Sequence, residues 1–122
     1  MRIDDFTPES LREFVEEQGG FQIAVAAIYT DLFEGVGVEA QRLHQQIEEA
    51  GYTVLFLDRK QKPRDVFQII EFLQIPHRIV VSGRSLTNGV YEYRHLLTDQ
   101  HTKIPITDAL DFFAKNIQES RL

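Results

Sequence analysis

Between residues 57 and 67 the chain reads LDRKQKPRDVF: a carboxylate, then four cations within six positions, then a second carboxylate and an aromatic side chain. A carboxylate accepts hydrogen bonds from the N1 and N2 donors of guanine, and Lys or Arg side chains neutralise backbone phosphates. Asp58 is therefore a candidate for a guanine edge, and Arg59, Lys60, Lys62 and Arg64 are candidates for phosphates. Phe67 offers a stacking face for a base, while its phase on the helix that Pro63 opens also suits core packing. The chemistry is coherent for an RNA partner, and a solvated basic loop is the plain alternative.

Other residue sets raise competing chemistries. GVGVEA, residues 35 to 40, satisfies the Gly, Gly, Ala pattern of a dinucleotide loop, with Asp58 about twenty residues on. A pyrophosphate site needs strand, tight turn and helix to be contiguous, yet residues 29 to 34 intervene, and Asp31 and Glu34 repel phosphate. Histidines 44, 77, 95 and 101 include no i, i+4 pair, and with no cysteine in the chain no metal site is expected. Ser82 and Ser85 flank Gly83 and Arg84 without a nucleophile elbow, so no catalytic residue is nominated.

The elements that position these residues follow from periodicity. Thr7 and Pro8 open a helix with Leu11, Phe14 and Val15 on one face, stopped at Gly19 and Gly20. FQIAVAAI (21 to 28), TVLFL (53 to 57) and HRIVVS (77 to 82) are short apolar runs, as in strands covered on both faces. Ala40, Leu43, Ile47 and Ala50 form a helical stripe ending at Gly51, and Val66, Phe67, Ile69, Ile70 and Leu73 form another. A loop closing at Asn88 and Gly89 leads to an alternating strand over residues 90 to 97. Thr107 is expected to cap a helix with Ala109, Leu110, Phe113 and Ile117 inward. His77 should open its strand, with Arg78 and Arg84 at opposite ends facing different rims.

Alternating helices and strands imply an α/β fold, a small three-layer sandwich with right-handed crossovers. At 122 residues, 43% hydrophobic and 26% charged, the chain suits one globular domain. The net charge of −6 argues against indiscriminate phosphate binding, but its distribution is uneven. Residues 59 to 103 carry eight Lys or Arg against four acids, so this segment is +4 and the rest of the chain −10. No apolar run reaches the roughly 20 residues of a membrane span, and the amino terminus has no signal-peptide core, so a cytoplasmic location is expected.

The stretch from residue 54 to 98 resembles the anticodon-binding domain of class II aminoacyl-tRNA synthetases, most closely the C-terminal domain of the prolyl-tRNA synthetase type. Asp58, Arg59, Pro63, Phe67, Ile75, Pro76, Arg78, Ile79, Val80, Val81, Arg84, Leu86, Gly89, Val90, Glu92 and Tyr93 occupy positions of that family's pattern, without a gap from 54 to 81. The resemblance implies a mixed five-stranded sheet flanked by helices, spanning residues 21 to 122 behind a helical extension of residues 1 to 20. It also implies binding of the anticodon region of tRNA, proline tRNA first, with a synthetase catalytic domain as partner. Leu57 replaces the first Asp of the family's Asp-Asp-Arg, Arg64 a glycine and Val66 a lysine, leaving Lys62 and Arg64 as substitute contacts. These residues supply no synthetase catalytic core, so the chain by itself should not aminoacylate tRNA, and no cofactor is implied. The rival reading is a protein-interaction or dimerisation module of the same fold that has lost RNA.

Overall fold

A computed structural model describes residues 7 to 18, 20 to 30, 33, 35 to 57 and 63 to 117. Five α-helices and five strands are found there in the order α1 (Pro8–Gln18), β1 (Ile23–Ala27), α2 (Val36–Glu49), β2 (Val54–Leu57), α3 (Pro63–Phe72), β3 (His77–Val81), α4 (Gly83–Thr87), β4 (Val90–His95), β5 (Gln100–Pro105) and α5 (Ala109–Asn116). The five strands form one sheet in the order β2-β1-β3-β4-β5. β1 pairs in parallel with β2 and β3, whereas β3, β4 and β5 run antiparallel, so the sheet is mixed.

Side chains alternate between the two faces of each strand, and each face has its own apolar cluster. Ile23, Val25, Phe56, Ile79, Val81, Tyr91, Tyr93 and Ile104 meet Leu43 and Ile47 of α2 and Phe113 of α5 on one side. On the other, Ala24, Ala26, Leu55 and Leu57 meet Val66 and Ile70 of α3, and Phe14 of α1 stacks on Phe21 at 4.6 Å between ring centroids. Every residue of β1 and β2 is buried, as the uninterrupted apolar runs require. The three-layer α/β sandwich expected from the sequence is the fold. Among the described residues no helix is long and apolar enough to cross a membrane.

Local differences have local causes. Residues 83 to 87, expected as loop, form α4 because Ser82 and Ser85 make a reciprocal capping box. Thr107 is not the cap of α5. It lies in a 3-10 turn, Ile106–Asp108, and its hydroxyl donates to Asp108 Oδ1 at 3.2 Å. Asp108 becomes the N-cap, and the tighter turn shifts the helix phase so that Leu110 is exposed while Phe112 packs on the core. β5 is the strand that the apolar pattern did not mark, since Ile104 is its one buried residue. Gly19, expected to stop α1, lies outside the described residues.

Candidate functional site

The parallel strands β2, β1 and β3 end at one rim of the sheet. α3 starts beyond the end of β2, and its first turn carries Arg64, exposed to solvent. Asp58, Arg59, Lys60 and Lys62 lie outside the described residues. Phe67, at the next turn of α3, is half-buried against the second core cluster, which satisfies its helix phase. Its ring is not free on both sides: the guanidinium of Arg78 lies over it, 4.3 Å from the centroid.

Arg78 projects from β3 toward α3 because its neighbours Ile79 and Val81 take the opposite face. Its Nε is buried without a hydrogen-bond partner, and among the described residues it makes no ion pair. Burial, and then the charge of Arg94, hold its pKa below the ordinary guanidinium value, with Glu71 and Glu92 acting less strongly in the opposite direction. A buried donor left unmatched beside a like charge is a site where an acceptor or an anion would be stabilised.

Sheet register extends this position into a row. Arg78 pairs with Arg94 across β3 and β4, and Arg94 pairs with His101 across β4 and β5, so the three side chains share one face at roughly 5 Å spacing. Glu92 and Lys103 form the adjoining row. Arg94 is neutralised locally: Asp99 Oδ1 accepts from its Nε at 2.9 Å and lies 2.7 Å from Nη2, with His101 Nε2 at 3.2 Å. Arg94 first, then His101, holds the Asp99 carboxyl below its usual range. α3 covers this face over β2 and β1 and reaches Arg78 of β3 through Phe67, but Glu92, His101 and Lys103 remain exposed. The antiparallel half of the sheet thus presents an open surface of mixed charge on which Arg78 and Lys103 make no ion pair among the described residues.

None of Arg78, Arg94, His101 or Lys103 stood out as a site residue in the sequence. Arg78 and Phe67 are eleven positions apart on different elements, and only the packing of α3 brings them together. Arg84 lies elsewhere, exposed in α4 beyond the far end of β3, so Arg78 and Arg84 sit at opposite ends of the strand, as expected.

The competing chemistries are absorbed by structure. Ser85 N–H donates to Ser82 Oγ at 3.1 Å and Ser82 N–H to Ser85 Oγ at 3.0 Å, which commits both hydroxyls to capping. Gly35 caps α2, and Glu39 in its first turn accepts from Tyr91 Oη at 2.7 Å and pairs with Arg42. Arg42 above all holds the Glu39 carboxyl below its ordinary value, so a fixed anion stands where a dinucleotide phosphate would need room. His77 and His95 do meet, edge to face at 4.6 Å, through strand register that spacing does not reveal. Among the described residues there is no group of three or more side chains able to hold a metal ion.

A mixed five-stranded sheet flanked by helices, with its antiparallel half charged and partly uncovered, defines a small α/β sandwich domain. Its fold matches that of prolyl-tRNA synthetase from Cryptosporidium parvum, in a structure complexed with halofuginone and AMPPNP, with a TM-score of 0.74 and 17% identity over 82% of this chain and 21% of that one. Residues 22–116 match the family model described as the anticodon binding domain. The chain belongs to that family. Proline–tRNA ligases of two Acidithiobacillus ferrooxidans strains are 35% identical to it over 95 residues, which is 78% of this chain and 17% of each ligase. The chain therefore spans about a sixth of the length covered by these relatives.

Proposed function

We propose that this domain recognises the anticodon region of a tRNA, proline tRNA first, by binding without chemistry. The observation that carries the reading is Arg78, seated on the Phe67 ring with a buried, unpartnered Nε at the head of the open charged face. A planar guanidinium held by an aromatic ring is pre-organised to offer its edge to a base or a phosphate. Lys103 adds a second cation further along the same face, where Arg94 is shared with Asp99 and Glu92 stands beside Lys103, so Arg78 and Lys103 are the charges offered to an RNA backbone. Asp58 is assigned to a guanine edge, Arg59, Lys60, Lys62 and Arg64 to phosphates, and Phe67 to support of Arg78 and of the base that approaches it. Relatives named as proline–tRNA ligases, about six times longer than the matched segment, support a synthetase catalytic domain as the natural partner and the cytoplasm as the place of action.

The test is titration of proline tRNA against the same tRNA with its anticodon swapped, across a salt series. Preference for the native anticodon, with affinity falling as salt rises, is the expected result; equal affinity for both, or no binding at low salt, rejects the reading. A second reading, a protein-interaction or dimerisation module, is favoured by Phe72 and Leu97, which are 85% and 83% exposed. Both lie toward the end of the sheet where β3 begins, since Leu96 N–H donates to the Pro76 carbonyl at 2.8 Å. A dimer by light scattering that tRNA fails to dissociate, with no RNA binding, would decide for it.

A further inference from the structure

The strand order β2-β1-β3 creates a topological switch point between β1 and β3. From β1 the chain crosses by α2 to one side, and from β2 it returns by α3 over the opposite face to the other side. Ligands of open α/β sheets occupy the crevice outside the carboxyl ends of the strands at such a point. Here that place holds two aromatic residues. Ile28 N–H donates to the Val81 carbonyl at 3.1 Å, tying the chain to the end of β3 as it leaves β1. Tyr29 follows with φ 54, a left-handed conformation that is a genuine outlier for a bulky residue, and is 51% exposed.

Phe33 N–H donates to the Tyr29 carbonyl at 3.1 Å, which holds the second aromatic residue near the first at the sheet end. The Phe33 ring lies directly on Gly83: a Cβ there would fall 2.3 Å from a ring carbon. Gly83 is thus required as the seat of the ring, and the ring nevertheless remains 46% exposed. Among the described residues neither Tyr29 nor Phe33 packs against another ring, and each keeps about half of its surface exposed, Phe33 with one side against Gly83. Arg84, next to the seat, and Arg64, on the first turn of α3, are exposed cations associated with the same rim. Aromatic faces between cations suit a nucleobase with its phosphates better than an aliphatic side chain.

We infer that Tyr29 and Phe33 form a stacking platform for an unstacked base of the bound RNA, at the switch point between β1 and β3. This rests on the tRNA reading above and adds a second recognition point, at the rim, to the Arg78 face.

The probe is a stem-loop RNA carrying the proline anticodon, titrated against the 122-residue chain. Phe33→Ala should weaken binding about 5- to 150-fold, the range for losing one base–aromatic stack, and leave the salt dependence unchanged because no charge is removed. Tyr29→Ala should act in the same direction, and thermal melts identify a variant that has simply lost its fold. The chain has no tryptophan, so Phe33→Trp introduces a single indole whose fluorescence RNA should quench. Wild-type affinity in both alanine variants, or an unquenched indole in a bound complex, overturns the platform while the tRNA reading stands. Absence of RNA binding by the wild type removes both. Quenching by GMP or CMP at the concentrations at which the stem-loop acts would assign the platform to free nucleotides and overturn the RNA assignment.

Discussion

His77 makes this fold sensitive to mild acid in a way that can be isolated. It is 2% exposed, its Nδ1 lies 2.8 Å from Tyr93 Oη, and its ring meets that of His95. Burial, and secondarily the neighbouring His95, depress its pKa to about 4 from an ordinary 6.5, while burial pushes the Tyr93 hydroxyl up to about 12. As pH falls through 6.5 the unfolded chain takes up a proton that folded His77 does not. The contribution is therefore intact above about pH 6.5 and is lost progressively toward pH 4. With one pKa unit worth about 1.4 kcal/mol, the loss between pH 7 and pH 5 integrates to about 2 kcal/mol. His77→Asn removes the titration and keeps an acceptor for the Tyr93 hydroxyl near the position of Nδ1. In urea denaturation at pH 7, 6 and 5, the wild type should lose about 2 kcal/mol more than the variant over that interval. Parallel stability curves for the two proteins, or an NMR titration placing His77 at or above pH 6, would refute the reasoning.

Arg78→Ala should weaken binding of the proline stem-loop by about 1.5 to 3 kcal/mol in fluorescence titration, the cost of removing a charged hydrogen-bond donor. Arg78→Lys should not restore it, because an ammonium cannot lie flat on Phe67. Gly83→Ala should cost about 1 to 3 kcal/mol in thermal or urea melts by driving a methyl group into the Phe33 ring, and less in a Phe33→Ala background, where only the Phe33 Cβ, 2.8 Å from the added methyl, still opposes it, a non-additivity that a double-mutant cycle reads directly. Phe113→Ala, at a fully buried ring on the α5 face, should cost about 3 to 5 kcal/mol in urea melts and leave little folded protein under native conditions.

The core was legible because β1, β2 and β3 are continuous apolar runs and the helices carry clear stripes, so burial and sequence pattern coincide. β5 escaped that pattern because QHTKIP buries one side chain, its place being fixed by backbone pairing with β4. α4 escaped because five residues are too few for periodicity, and its helix rests on the exchange between Ser82 and Ser85. The site divides in the same way. Phe67 could be put forward from its neighbours in sequence, but the alignment of Arg78 with Arg94 and His101 depends on the register of two antiparallel pairings. The seat of Phe33 on Gly83 likewise joins residues fifty positions apart that no local signal connects.

β5 ends the sheet on its antiparallel side, and a terminal strand with an uncovered face can template the addition of further strands. His101 and Lys103 place polar or charged groups along it, and Pro105 closes it with a residue that has no N–H to donate. In the tRNA reading proposed above, the side chains that face a polyanion are therefore also ones that disfavour edge-to-edge pairing of this strand. If the tRNA reading holds, changes at His101 or Lys103 that tune RNA contact are bounded by colloidal stability, and apolar replacements there should aggregate before an effect on binding is read. Gln, which keeps the edge hydrophilic, is the replacement that separates the two roles.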